Sequence, residues 1–399
     1  MIRYVKFKNF YSFRDEQEIS FVSSKKTTAD YFKSKSGHDI SKVLGVIGTN
    51  ASGKTNIMRL FSFLTYFICS SNLDIAPEEY NVPFNLDMAF KTFFQNEQPA
   101  YFYLEYENEN SEFFYTLEIK GNTVMKEILD CRRIKKGSHK ENLITRKGIS
   151  IKLNDKYFEG FQAQTKFFKN IRGDVSLISF LKSHYEIPVV NTIYSYFNKI
   201  KSNINEQGQI NNFLHQYRTL EMYMKDSVLK KQVEDFISRF DLGLKSFDIQ
   251  TKTLPDNRRT IVVQGIHQAG SEKKLEFKYE SRGSQSLFFT LANLFSALKS
   301  NGIVIIDEIE IGLHPEAVSK LISYFIDQNT HTNAQLIFSS HSYGFMDRFD
   351  MHQIYLTEKD NRGQSEVYRL NQVEGIRSDE RFSTKYMTGA YGAFPKIRV

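Results

Sequence analysis

Hydrophobic and polar positions change their rhythm several times along the chain. In residues 1–21 Ile2, Val5 and Phe7, and then Ile19 and Phe21, alternate with polar positions, which predicts two strands around a turn. Residues 43–47 form a short apolar run ending beside a glycine loop, the pattern of a buried strand, and a helical stretch follows over 54–70. From 101 to 156 short alternating strands return, with the polar ENENSE stretch predicting a hairpin. Residues 161–240 read mostly as helix. Phe213, Tyr217, Leu220 and Met224, then Leu229, Val233, Phe236 and Phe240, recur every three or four positions. Strands are expected again at 260–264 and 274–279, a helix over 284–299, and strongly apolar strands at 303–306 and 335–339. The layout is an α/β core split by an insertion. Residues 1–75 form its first half, 76–160 a β-rich subdomain, 161–255 a helical insertion, and 256–399 the second half.

Composition narrows the class. A chain of 399 residues exceeds the usual single core, and 41% hydrophobic and 14% aromatic content supplies enough apolar material to pack one. The net charge of +7 permits a nucleic acid or an acidic protein as partner without demanding either. Cys69 and Cys131 alone make neither a disulfide framework nor a Cys-based zinc site, and a reducing compartment fits. MIRYVKFKNF has no signal-peptide core, and the greasiest stretch, 57–68, carries Arg59 and is too short to cross a bilayer. A cytoplasmic protein without a membrane partner is expected.

Four segments carry chemistry. Gly48-Thr-Asn50-Ala-Ser52-Gly53-Lys54-Thr55 is a complete G-x-x-x-x-G-K-[ST] octet between an expected strand and an expected helix. Its glycines let backbone N–H groups curl around phosphate oxygens, with Asn50, Ser52 and the following Asn56 beside them. Lys54 places a charge at the β- and γ-phosphates, and Thr55 offers a hydroxyl to Mg2+. At 303–308 an apolar strand ends in Asp307 and Glu308, the first suited to hold Mg2+ and the second to deprotonate an attacking water. A second apolar strand ends at His341, within reach of a γ-phosphate or that water; of the other histidines only His314 has a comparable setting. Upstream, Glu280-Ser281-Arg-Gly283-Ser-Gln285 combines a serine hydroxyl and glycine N–H groups at a helix start, which makes an anion site.

In this order the segments resemble the ATPase heads of the ABC superfamily, above all the branch of chromosome-maintenance proteins, OLD-like proteins and bacterial abortive-infection AAA-family ATPases. Phe7-Lys-Asn-Phe-Tyr-Ser-Phe13 is similar to that branch's first strand. Asp307-Glu-Ile-Glu-Ile-Gly-Leu-His-Pro315 is similar to its acidic strand and loop, 281–285 to a shortened ABC signature, and Tyr386 to Pro395 to the ending of compact members in phage-defence operons. The resemblance implies a P-loop NTPase (ABC-ATPase-like) core with an antiparallel β subdomain and an inserted helical subdomain. It implies ATP and Mg2+ as cofactors and a head-to-tail homodimer, or a higher even-numbered oligomer. Lys54, Thr55, Asp307, Glu308 and His341 of one subunit would grip ATP, with Ser281 and Gly283 of the other closing over it. Gln95 and Gln98 are candidates for the glutamine that senses the γ-phosphate. OLD-type relatives carry a nuclease domain after the histidine strand; with 58 residues after His341, a separate, nuclease-like effector is expected instead. The alternative is a DNA-repair or chromosome ATPase that binds DNA directly. Its best support is the basic stretch 132–156, with Arg132, Arg133, Lys135, Lys136, Lys140, Arg146, Lys147, Lys152 and Lys156. That stretch also suits a solvated face or an acidic partner.

Overall fold

The computed structural model describes residues 1–23, 28–72, 90–161, 168, 171–205, 208–209, 213–240, 243–253, 259–269 and 271–394. Two sheets organise them. The core sheet runs in the order Ile200–Ser202, Ile303–Ile306, Gln335–Ser340, Val43–Gly48, Ile354–Lys359, Ser365–Arg369; all neighbours are parallel except the last pair. Val43–Gly48, Ile303–Ile306 and Gln335–Ser340 are buried at every position. A parallel strand covered on both faces reads as continuous apolar sequence, which is why these three stand out in the chain.

Successive side chains point to opposite faces of this sheet and enter different cores. Leu44, Val46, Ile305 and Ile337 join one, with the helix Lys54–Ser70. Val43, Ile47, Val304, Ile306, Leu336 and Phe338 join the other, with the helices Arg282–Ser300 and Pro315–Gln328. Lys54–Ser70 is apolar nearly all round because it lies between the core sheet and a second, seven-stranded antiparallel sheet. That sheet joins the N-terminal strands Ile2–Lys8 and Gln17–Ser20 to the five strands between Ala100 and Leu153. Phenylalanine fills the space between them: Phe63 lies 5.1 Å from Phe102 and 5.0 Å from Phe90, and Phe102 lies 5.5 Å from Phe10.

The described residues of 161–240 include the α-helices Leu177–His184, Pro188–Phe197, Phe213–Lys225 and Ser227–Ile237. The helical reading of that stretch misses Ile200–Ser202, which returns to the core as the edge strand beside Ile303–Ile306. Three residues are too few to show a period, and only pairing with Ile303, Val304 and Ile305 makes them a strand. A further three-stranded sheet, Leu244–Thr253, Arg259–Ala269 and Ser271–Glu276, leads into Ser281. Among the described residues no helix is long and apolar enough to cross a membrane.

Candidate functional site

Parallel pairing places the carboxyl ends of three strands along one edge of the sheet, where ligands of α/β sheets bind. Gly48, Asp307 and His341 follow or end those strands, with Ser340 paired to Ile47 and Phe338 to Ile306. Gly48 is required because a Cβ there would lie 2.4 Å from both the backbone oxygen and the hydroxyl of Thr357 on the neighbouring strand. The loop turns through left-handed backbone at Ala51 (φ 61°) and Gly53 (φ 118°). Ser52 Oγ bonds Thr357 Oγ1 at 2.6 Å and pins the loop to that strand. No side chain caps the helix that begins at Lys54, an arrangement suited to an anion.

Lys54 is 4% exposed and folds back into its own loop, donating to the carbonyls of Gly48 and Thr49 at 2.8 Å each. Its Nζ lies 3.1 Å from His341 Nδ1, and His341 Nε2 lies 3.2 Å from Glu308 Oε1. Burial pulls the ammonium down to about 8, against the opposing charges of Asp307, Glu308 and Glu310. Glu308 adopts φ 52°, rare for a non-glycine residue, and its N–H is held by Ser339 Oγ at 2.8 Å. The His341 backbone N–H donates to Glu310 Oε1 at 2.5 Å.

Asp307 is buried behind this row. It accepts from Thr55 Oγ1 at 3.0 Å and from Ser339 Oγ at 2.5 Å. Burial raises its carboxyl above the ordinary carboxylate value, and the two hydroxyls and Lys54 oppose that. Asn203, just past the edge strand, fixes the backbone of Asp307 from both sides. Its Oδ1 accepts the Asp307 N–H at 2.8 Å and its Nδ2 donates to the Asp307 carbonyl at 2.9 Å. A Thr hydroxyl and one carboxylate are hard oxygen donors, and Mg2+ bound with phosphates takes one or two carboxylates of this kind. Thr55 and Asp307 therefore fit the ion expected there.

A cavity of about 380 Å3 opens over the loop, lined by Asn50, Ala51, Ser52, Gly53, Lys54, Thr55, Asn56, Glu308, His341 and Lys359. The loop, the second acid and the histidine singled out in the sequence thus share one cavity, with Gly48 beneath it and Asp307 behind Thr55. Asn203, Ser339 and Lys359 belong to the neighbourhood and carry no motif. Polar residues beside the ends of apolar runs are the only signal they offer.

Ser281 and Gly283 line no part of this cavity. Ser281 caps Arg282–Ser300, its Oγ accepting the Ser284 N–H at 3.0 Å. Gly283 packs on the loop after Glu308, so closely that a Cβ would lie 2.2 Å from the Gly312 carbonyl oxygen. His314 caps the helix Pro315–Gln328 through a 3.2 Å bond from the Glu316 N–H. Gln95 and Gln98 also lie outside the cavity; Gln95 lines a neighbouring one. In the basic stretch, Arg146 is 2% exposed and donates to the carbonyls of Val175 and Arg172, so it offers no surface charge. Arg132, Lys140 and Lys156 pair with Glu112, Asp130 and Glu141.

A family model described as "AAA domain, putative AbiEii toxin, Type IV TA system" matches residues 43–347, from the strand before the phosphate loop to beyond His341. Among curated proteins no match is found. Solved structures similar to the chain include the SMC head domain from Thermotoga maritima, at 16% identity over 92% of this chain and 98% of that one, TM-score 0.42. A second is an SmcHead bound to the C-winged helix domain of ScpA, at 14% identity over 94% and 99%, TM-score 0.46. A third, from Pyrococcus furiosus, is an Smc head domain with an extended coiled coil bound to the C-terminal domain of ScpA. It shares 14% identity over 93% and 97%, TM-score 0.40.

Proposed function

Because the chain belongs to the family described as "AAA domain, putative AbiEii toxin, Type IV TA system", we propose that it binds and hydrolyses ATP with Mg2+ and uses the cycle as a dimerisation switch. The observation that carries this reading is the row Lys54–His341–Glu308 in the phosphate-loop cavity, with Thr55 and Asp307 bonded behind it. A triphosphate on the loop would draw Lys54 from the carbonyls of Gly48 and Thr49 to the β- and γ-oxygens. Thr55 and Asp307 would hold Mg2+, whose charge offsets that of the phosphates. Glu308 would take the proton of a water attacking the γ-phosphorus, and the bond to the ADP oxygen breaks. His341 would orient Glu308 and bond the γ-phosphate.

Ser281 and Gly283 stand outside their own chain's cavity, which supports a site completed by a second copy. The packing of Gly283 on Gly312 joins that surface to the loop of Glu308. ATP would close the dimer and hydrolysis reopen it. The sequence resemblance to compact members favours a cytoplasmic regulator of a separate toxic, nuclease-like effector in bacterial anti-phage defence, of the abortive-infection/OLD-like group. The family description, which names a "putative AbiEii toxin" of a "Type IV TA system", agrees with a defence setting. The buried free thiols of Cys69 and Cys131 fit that compartment.

Phosphate release from Mg-ATP by the purified protein tests the core of the proposal. Turnover should vanish in Lys54→Ala; equal turnover in that variant would sink it. A DNA-binding ATPase would instead show affinity for duplex DNA that falls steeply with salt.

A further inference from the structure

A second cavity of about 340 Å3 adjoins the first and shares Asn56 and Lys359 with it. Its other walls include Tyr11, Arg59, Phe94 and Gln95. The polarity of the first cavity fixes what the second can receive. Lys54, Glu308 and His341 mark the end where the terminal phosphates lie, so Asn56 and Lys359 mark the end from which the rest of the ligand emerges. The size falls at the small end of the range for sites that bury one organic ligand, about 300–1,000 Å3.

Phe94 is the unusual wall. Its side chain is 75% exposed and its backbone has φ 47°, followed by Gln95 at φ 56°. Two successive non-glycine residues in left-handed backbone persist only where their surroundings hold them, and such sites cluster at ligand clamps. Here the loop is held. Asn9, itself 3% exposed, accepts from the Phe93 N–H and from Asn96 Nδ2 at 3.0 Å each, and donates to Gln98 O at 2.8 Å. Gly363 lets the ring lie against the core hairpin, since a Cβ there would meet Phe94 Cζ at 2.9 Å. On the other side the Arg59 guanidinium lies 4.8 Å from the centre of the Tyr11 ring and donates to Asn56 Oδ1 at 2.9 Å. An aromatic face is thus presented to solvent by a braced loop, across from a cation-backed aromatic wall, at the nucleoside end of a phosphate site.

We propose that this second cavity is the nucleoside site and that Phe94 is the platform on which a purine base stacks. The inference rests on the phosphate-loop reading, and the experiment separates the two. Calorimetric titration would compare a non-hydrolysable ATP analogue with inorganic tripolyphosphate on wild type, Phe94→Ala, Phe94→Trp and Lys54→Ala. Stacking on one aromatic side chain is worth about 1–3 kcal/mol per base. Phe94→Ala should therefore weaken the analogue roughly tenfold or more and leave tripolyphosphate unchanged, and Phe94→Trp should restore analogue binding. An analogue affinity within about twofold of wild type in Phe94→Ala, or equal weakening of both ligands, overturns the base platform. Retention of both ligands by Lys54→Ala instead overturns the phosphate-loop reading on which it stands.

Discussion

The Thr55 hydroxyl lies 3.0 Å from the Asp307 carboxylate across 252 positions of sequence. That bond joins the phosphate loop to the acidic strand although the histidine strand Gln335–Ser340 runs between their two strands in the sheet. Both residues reach forward from the same edge, over the end of the intervening strand. Ser339 on that strand adds its own bond to Asp307 at 2.5 Å.

In the proposed mechanism Glu308 acts in the chemical step more than in binding. Glu308→Gln should lower kcat by about two to four orders of magnitude, the range typical of a lost general base. ATP should still bind, and the protein should accumulate as an ATP-bound dimer. Rapid-quench turnover and size-exclusion chromatography with ATP read both effects. Wild-type turnover in Glu308→Gln would remove the residue from its proposed role.

The low value of Lys54 gives ATP binding a pH dependence of definite sign. Phosphates bind the ammonium form, and burial holds this group at about 8. Below that value the free protein already carries the proton and affinity should be flat. Above it binding must take up a proton, so Kd should climb toward tenfold per pH unit. Lys54→Arg keeps its charge throughout, since guanidinium titrates above about 12. Titrations of a non-hydrolysable analogue between pH 7 and 9.5 decide the matter; the same slope in wild type and Lys54→Arg would clear Lys54 of responsibility.

Asn203 holds the backbone of Asp307 by two bonds. Asn203→Ala leaves both groups without that partner, a cost of about 1–3 kcal/mol per group left unpaired. Thermal unfolding should shift downward, and the Mg2+ concentration for half-maximal turnover should rise, because the carboxylate loses its registration with Thr55. An unaltered Mg2+ requirement would confine Asn203 to stability alone.

Gly283 tests the link between Ser281 and the loop that follows Glu308. Gly283→Ala puts a Cβ 2.2 Å from the Gly312 carbonyl, so the helix start and the loop must separate. ATP binding should survive while turnover falls at least about tenfold, the change that about 1.4 kcal/mol of lost transition-state stabilisation produces. Mixing experiments extend this to the dimer. Lys54→Ala and Ser281→Arg chains, each inactive alone, should recover activity together by forming one intact composite site. No recovery argues against a site shared between copies.

The octet 48–55, the acids at 307–308 and the histidine at 341 were legible because chemistry restricts them locally. A phosphate loop needs its glycines at fixed spacing, and a strand buried on both faces needs unbroken apolar residues before its terminal polar group. The same reasoning located the helix Lys54–Ser70 and the strands Val43–Gly48 and Ile303–Ile306. Motif order and the apolar runs pointed to an α/β core with a glycine-rich loop after its first strand. Only tertiary structure decided that Ile200–Ser202 returns as the edge strand, that Asn203 braces Asp307, and that Phe94 faces a cavity joined to the phosphate loop. Short strands and lone polar or aromatic side chains have no period or spacing of their own. Their roles arise from partners far away in the chain, and those partners are chosen by packing.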